Sequence, residues 1–135
     1  MLEINNRTES RINKKRLEEI TGVFLKKYKK TKAEVSLALL PDREMRKLNK
    51  IYRNIDKTTD VLSFAGEGIF LGEIILSLAQ IKKQALEAKK SFSKELDFIY
   101  VHGLLHLIGH EDDTEKDRLK MIKMGEAFLS KEGKK

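Results

Sequence analysis

The feature that most constrains this chain is the segment from Leu96 to Ile108, which carries apolar side chains on nearly every face of a helix. A helix without a polar face is stable only when protein surrounds it on all sides. The segment therefore predicts a central buried helix around which a small domain packs. Gly109 is expected to end this helix. Ser93 is expected to cap its start, with Glu95 and Asp97 in the first turn, where acidic groups suit the helix dipole.

The rest of the chain predicts strands and helices interspersed along the sequence. Period-two and aliphatic-rich segments indicate strands, and apolar residues at helical spacing indicate helices. The predicted strands are Leu2 to Asn5, Ala33 to Leu40, Val61 to Phe64 and Leu71 to Ser77, and the predicted helices are Lys14 to Tyr28, a helix opened by Pro41-Asp42, Leu78 to Ala88 and Glu115 to Ser130. The tail from Lys131 is expected to fray. At 135 residues the chain predicts one domain, 1–135, of α+β or mixed α/β class with one small mixed sheet.

Composition excludes several kinds of chemistry. The chain contains no cysteine, so disulfides, thiolate metal sites and cysteine nucleophiles are excluded, and a cytoplasmic location is favoured. No run approaches the roughly 18 apolar residues of a membrane span, and the first eleven residues lack the apolar core of a signal peptide. The net charge of +7 would attract polyanions such as nucleic acid, although a lysine-rich surface also serves solubility.

All three histidines lie between His102 and His110. His102 and His106 are four residues apart, so on a helix they share one face and can reach one metal ion. A continuous helix would carry His110 about 12 Å along the axis from His102, too far for one ion. Gly109 must therefore break the helix, after which His110, Glu111, Asp112 or Asp113 could return to the metal. Two imidazoles in apolar surroundings need polar partners, which favours a metal over ordinary core packing.

The pattern His-x-x-x-His-x-x-Gly-x-x-Asp is similar to the metzincin signature, in which the residue three past the glycine is the third ligand. That register selects Asp112. Gly103 occupies the position where zinc proteases carry their glutamate general base, which argues against peptide hydrolysis.

Three segments resemble the YbeY family of bacterial ribosomal-RNA maturation factors. Residues His102 to Gly109 fit the family pattern His-Gly-x-Leu-His-Leu-x-Gly at each fixed position. Leu48 to Phe64 resembles a second family block, Leu-Asn-x-x-Tyr-Arg-x-x-Asp-x-x-Thr-Asp-Val-Leu-Ser-Phe. Leu71 to Ile74 resembles a third, Leu-Gly-Asp/Glu-Ile. The resemblance covers the middle and C-terminal two-thirds of the chain.

The resemblance implies a zinc-dependent, single-strand-specific endoribonuclease that matures the 3′ end of small-subunit (16S) rRNA and acts in ribosome quality control. Its implied partners are single-stranded RNA, ribosomal RNA and the small ribosomal subunit, with no membrane. Most relatives end the histidine motif with Tyr-Asp-His, whereas this chain has His110-Glu111-Asp112. We therefore predict one zinc ion held by His102, His106 and Asp112, with His110 as the alternative third ligand. A carboxylate adds negative charge and should make the ion a weaker Lewis acid.

Arg53 matches the arginine of the second family block and is predicted as the catalytic cation that stabilises charge on the phosphoryl group. Three protein ligands leave a fourth coordination position for catalysis. No general base is evident, although Glu111 and Asp113 lie close in sequence. Two alternatives remain: a non-catalytic ribosome-assembly factor with a structural metal, and a metalloprotease.

Overall fold

The computed structural model describes residues 1–133, which form a four-stranded sheet and five helices. The strands are β1 (Leu2–Asn6), β2 (Glu34–Leu39), β3 (Val61–Ala65) and β4 (Phe70–Leu76), and the helices are α1 (Lys14–Lys27), α2 (Asp42–Arg53), α3 (Leu78–Glu87), α4 (Phe92–Leu107) and α5 (Glu115–Gly133). The sheet order is β1-β2-β4-β3, with β3 at an edge. β1, β2 and β4 are parallel and β3 is antiparallel to β4, which confirms the predicted mixed sheet.

The two faces of the sheet support cores of different size. Side chains alternate across a strand, so Val35, Leu37 and Leu39 face one side while Ala38 faces the other. The larger core packs that first face against α1, α3, α4 and α5. The smaller core packs the second face against α2, chiefly through the fully buried Met45. Helix α2 therefore covers only part of the second face of the sheet.

Helix α4 is the central helix that the sequence predicts. Tyr100 and Leu104 are fully buried in it, and it contacts β3, β4 and three of the other helices. The Tyr100 hydroxyl shares a hydrogen bond of 2.6 Å with Thr21 Oγ1, which fastens α4 to α1 in the core. Burial raises the pKa of the Tyr100 hydroxyl, so the group stays protonated and able to donate. The packing of Tyr100 in the core therefore positions His102 and His106, which follow it on the same helix.

The predicted start of α4 is wrong by two residues. Ser91, not Ser93, is the N-cap, and its side chain accepts from the backbone N–H of Lys94 at 3.2 Å. The earlier start lets Phe92 pack against the larger core. Asp97 then lies beyond the first turn, where it forms an ion pair with Arg16 at 3.1 Å. Tertiary contacts thus chose between two serines that are equally good caps by sequence.

The last helix is longer than predicted. Helix α5 continues to Gly133, through residues expected to belong to a frayed tail from Lys131. Lys134 and Lys135, the end of that predicted tail, lie outside the described residues. No helix in the described part of the chain has the length and apolar character needed to cross a membrane.

Candidate metal centre and its cavity

The two histidines of α4 face each other at the C-terminal end of the helix. One helical turn separates them, and their Nε2 atoms are 3.2 Å apart. Both side chains are only partly exposed, because the helix that carries them is buried in the larger core. The buried central helix thereby brings two potential metal-binding nitrogens together on one face.

A glycine turn brings the third group back to these nitrogens. Helix α4 ends at Leu107, and Gly109 has a φ of +103°, a backbone conformation that favours glycine. The backbone N–H of His110 then donates to the Leu105 carbonyl at 3.1 Å, which closes the turn. Asp112 Oδ2 lies 3.2 Å from His102 Nε2 and 3.4 Å from His106 Nε2. The helix break that the sequence predicts at Gly109 is therefore present.

The spacing of these three atoms suits a tetrahedral metal ion. Ligand atoms about 2.1 Å from a tetrahedral ion lie about 3.4 Å from one another. The three observed separations are 3.2, 3.2 and 3.4 Å. Among the side chains that the structure describes, His102, His106 and Asp112 are the histidine and acidic groups that come together in this way. His110 lines the same cavity but does not join the group.

The protonation states of the cluster also suit metal binding. Burial lowers the pKa of the His102 imidazole, and the nearby charge of His106 lowers it further. Burial alone would raise the pKa of the Asp112 carboxyl, but His106 and the hydrogen bond from His102 outweigh it and hold that pKa below its ordinary value. A neutral imidazole and an ionised carboxylate are the forms that coordinate metals.

The cluster lies in the wall of a cavity of about 790 Å³. That volume is within the roughly 300–1,000 Å³ typical of ligand sites. The cavity follows the edge strand β3 from Val61 to Ala65, between the end of α2 and the start of α5. The other polar side chains that line it are Tyr52, Arg53, Thr59, Asp60, Ser63, His110, Glu111 and Arg118.

Two arginines enter this cavity from different elements. Arg53 is the last residue of α2, and Arg118 lies in the first turn of α5. Both side chains are exposed, and neither guanidinium has a hydrogen bond or ion pair with any residue that the structure describes. The structure therefore places the predicted Arg53 in the cavity of the metal cluster and adds a second cation there.

Sequence reasoning missed Arg118. Ile122, four residues later, lines the same cavity, and Met121 is buried between them. The apolar stripe of α5 identifies the face that packs on the domain, and Arg118 extends that face by one turn toward the helix start. The sequence pattern therefore indicates that Arg118 lies on the packed face of α5. Only the tertiary structure shows that this face reaches the histidines.

Gly103 contacts the sheet and not the cavity. A Cβ atom placed on Gly103 would lie 3.0 Å from Ile74 Cγ2, a contact tighter than ordinary packing. A glutamate in this position would have to enter the core beside β4. The position that supplies the general base in zinc proteases is thus closed in this fold, which weighs against the protease alternative.

Comparisons with known proteins agree with this fold and identify a family. The family model described as Endoribonuclease YbeY matches residues 3–133. An Endoribonuclease YbeY of Aliarcobacter butzleri is 38% identical over 135 residues, covering 95% of this chain and 92% of the relative. Another, of Heliobacterium modesticaldum, is 40% identical over 116 residues, covering 74% of this chain and 70% of the relative. The solution structure of TM1509 from Thermotoga maritima superposes with a TM-score of 0.66 at 27% identity, covering 99% of this chain and 92% of that chain.

Proposed function

The chain belongs to the endoribonuclease YbeY family, and on that premise we propose that it cleaves single-stranded RNA in the cavity beside His102, His106 and Asp112. The observation that carries the proposal is the geometry of these three side chains, whose ligand atoms all lie within 4.8 Å of one another on a cavity wall. Family membership supports a nuclease, and the cluster supports a metal-dependent one.

We assign His102, His106 and Asp112 as the ligands of one zinc ion. When bound, zinc supplies a Lewis acid for a phosphoryl oxygen and lowers the pKa of a coordinated water. Two neutral imidazoles and one carboxylate are a donor set that zinc accepts. The carboxylate lowers the net positive charge of the site relative to a three-histidine set.

Arg53 and Arg118 are proposed to hold the phosphodiester. Each guanidinium can donate two parallel hydrogen bonds to phosphate oxygens, and neither is bonded to another side chain that the structure describes. Because the two arginines come from α2 and α5, they can approach a phosphate from different sides of the cavity. Their charge would stabilise the extra negative charge that develops as the phosphodiester bond breaks.

Proton transfer falls to carboxylates that line the same cavity. Glu111 and Asp60 do so in addition to Asp112, whereas Asp113 is not part of the lining. Either carboxylate can accept a proton from the attacking oxygen within a hydrogen-bond distance once substrate is in place. We favour Glu111, because it is adjacent to Asp112 in the same turn.

The cellular role follows from the family. We propose that the substrate is ribosomal RNA, with cleavage at the 3′ end of the small-subunit 16S rRNA and a role in ribosome quality control in the cytoplasm. The net charge of +7 supports an RNA substrate, since cationic surfaces attract the phosphate backbone. The absence of cysteine supports the cytoplasmic location.

The catalytic reading is favoured over a purely structural metal. A structural zinc site uses four protein ligands, whereas a catalytic one keeps a position open. In the described part of the chain, three side chains meet, and they do so on a cavity wall and not in the sealed core. Both features suit a site that admits substrate.

The decisive experiment compares wild type with His106→Ala. Cleavage of a single-stranded RNA and zinc content are measured on both purified proteins, with a double-stranded RNA of the same sequence as the specificity control. We expect wild type to hold about one metal per chain and to cut only the single strand, and the variant to lose both properties. Metal-loaded wild type that leaves free RNA intact would instead favour a structural metal in an assembly factor.

A further inference from the structure

The side chain of Tyr52 is exposed at the edge of the cavity that holds the histidine cluster. It is 63% exposed, although it belongs to the last turn of α2 and precedes Arg53. Its ring is held on one side by Phe64 in an edge-to-face contact, with centroids 5.1 Å apart. The tyrosine is therefore positioned by a neighbouring ring, while most of its surface stays available for a ligand.

Tyr52 and Phe64 also border a second cavity, of about 360 Å³, on the face of the sheet that α2 only partly covers. They line both cavities, so the aromatic pair stands where the metal cavity passes into the second one. The other residues that line the second cavity are Asn5, Arg7, Ala38, Leu40, Leu48, Glu73 and Ile75. A chain held at the metal cluster could therefore continue past the aromatic pair onto the sheet.

The lining of the second cavity suits a nucleobase better than a phosphate. Ala38, Leu40, Leu48 and Ile75 give it an apolar wall, and Glu73 adds a carboxylate that would repel phosphate. A carboxylate accepts hydrogen bonds from the N–H groups of a base edge. Arg53 lies beside the metal cluster, and Arg7, the one cation among the described residues that line the second cavity, is already in an exposed ion pair with Glu44 at 3.4 Å.

We propose that Tyr52 is a stacking platform for a base of single-stranded RNA, and that the second cavity receives the base of the next nucleotide. The scissile phosphate then lies between Arg53 and the metal cluster. Bases stack on aromatic side chains with little sequence preference, since every base has a π-face. In a duplex those faces are covered by neighbouring base pairs, so a platform here would give the enzyme its preference for single strands. This role depends on the proposed function for the identity of the ligand as RNA.

The first test uses a fluorescent reporter. The chain contains no tryptophan, so Tyr52→Trp introduces a single indole at the platform. The matched control is Ile69→Trp, at a residue that is 65% exposed and lines neither cavity. Each variant is titrated with a single-stranded RNA hexamer, whose integrity is checked on a gel and whose binding is followed independently by anisotropy of a terminal label.

We expect saturable quenching of the indole at position 52 and none of the indole at position 69, with the same hexamer bound in both cases. Binding by anisotropy without quenching at position 52 would place the RNA elsewhere and overturn the platform. Quenching without cleavage would leave the platform standing while the proposed nuclease activity fails, so the two failures can be told apart.

The second test separates stacking from phosphate binding. Tyr52→Phe should bind the hexamer within about twofold of wild type, and Tyr52→Ala about tenfold more weakly, because stacking survives only in the first. Ile51→Ala removes an adjacent side chain that is 72% exposed and lines neither cavity, and should bind like wild type. A set of hexamers is also tested, each lacking the base at one position. The hexamer that lacks the base stacked on Tyr52 should bind wild type and Tyr52→Ala with equal affinity. Equal affinity of Tyr52→Ala and wild type for the intact hexamer would refute the proposal.

Discussion

Asp112 places a carboxylate, and not a third imidazole, beside the two histidines of α4. The structure brings that carboxylate, and not the neighbouring His110, to within 3.4 Å of both helix histidines. The difference arises in the turn after Gly109, where His110 is held by its backbone bond to Leu105 while Asp112 reaches back to the cluster. Asp112 therefore decides the charge of the candidate metal site.

The ligand assignment predicts different metal contents for two alanine variants. Asp112→Ala should lower zinc occupancy at limiting metal well below that of His110→Ala, because only the first removes a ligand. Asp112→His, which replaces the carboxylate with an imidazole that can also bind zinc, should keep the metal. Zinc content after dialysis against a weak chelator measures all three. Equal retention in Asp112→Ala and wild type would show that the third ligand lies elsewhere.

The two cavity arginines are predicted to act on the substrate and not on the metal. Arg53→Ala should lower kcat/KM about a hundredfold, as loss of a donor to developing charge does. Arg118→Ala should lower it about tenfold, as loss of a charged hydrogen bond does. Lys120→Ala is the matched control, since it removes a positive charge from α5 at an exposed residue that does not line the cavity.

All four proteins, including wild type, should hold the same amount of zinc and melt at similar temperatures. Steady-state cleavage of a labelled RNA gives kcat and KM for each. If Arg53→Ala cuts at the wild-type rate, Arg53 has no part in the mechanism; if Lys120→Ala loses as much as Arg118→Ala, the effect is one of net charge alone.

At the scale of elements, α4 carries the site because it is the most enclosed helix. Its buried face packs on both β3 and β4 as well as on the neighbouring helices, so the histidines near its end have little freedom to separate. The N-terminal end of the same helix is exposed and relies on local bonds, chiefly the cap from Ser91. Substitutions at the start of α4 can therefore change the stability of the helix without changing the side chains of the histidine cluster.

The cap predicts an asymmetry between two nearby serines. Ser91→Ala should lower the free energy of unfolding by about 1 kcal/mol, because the N–H of Lys94 loses its acceptor. Ser93→Ala should change it by less than about 0.5 kcal/mol, since that serine is exposed and within the helix. Urea unfolding followed by circular dichroism measures both. A larger loss for Ser93→Ala than for Ser91→Ala would contradict the observed helix start.

At the scale of the whole molecule, the candidate metal site joins α4 to the segment that leads into α5. A metal bound only by the folded chain stabilises it, by about 2.7 kcal/mol when free metal is a hundredfold above its dissociation constant. For a domain of this size the melting temperature should rise by roughly 10 °C. Differential scanning calorimetry of wild type with zinc, and with chelator, measures the shift.

His106→Ala is the control for this shift, and its melting temperature should not respond to zinc. A wild-type melting temperature that is the same with zinc and with chelator would mean that the cluster does not bind the ion in the folded state. An equal rise in both proteins would indicate binding at another place on the surface.

The sequence alone determined the central helix, the shared face of its two histidines and the glycine break, because each is a local pattern compatible with few backbone conformations. An all-apolar helix must be buried, histidines four apart share a face, and Gly109 tolerates the left-handed turn that ends the helix. The mixed α+β class also followed from the order of segments. These predictions are confirmed by the α4 position, by the φ of Gly109 and by the antiparallel β3.

Only the tertiary structure decided which groups surround the histidines. Arg53 and Arg118 are 65 positions apart in sequence (118 − 53), yet line one cavity, because the end of α2 and the start of α5 both lie beside the edge strand β3. Tyr52 and Phe64 meet across the boundary of two cavities for the same reason. The choice of Ser91 over Ser93 came from the packing of Phe92. Contacts between distant segments depend on how helices are placed on the sheet, and local periodicity carries no information about that placement.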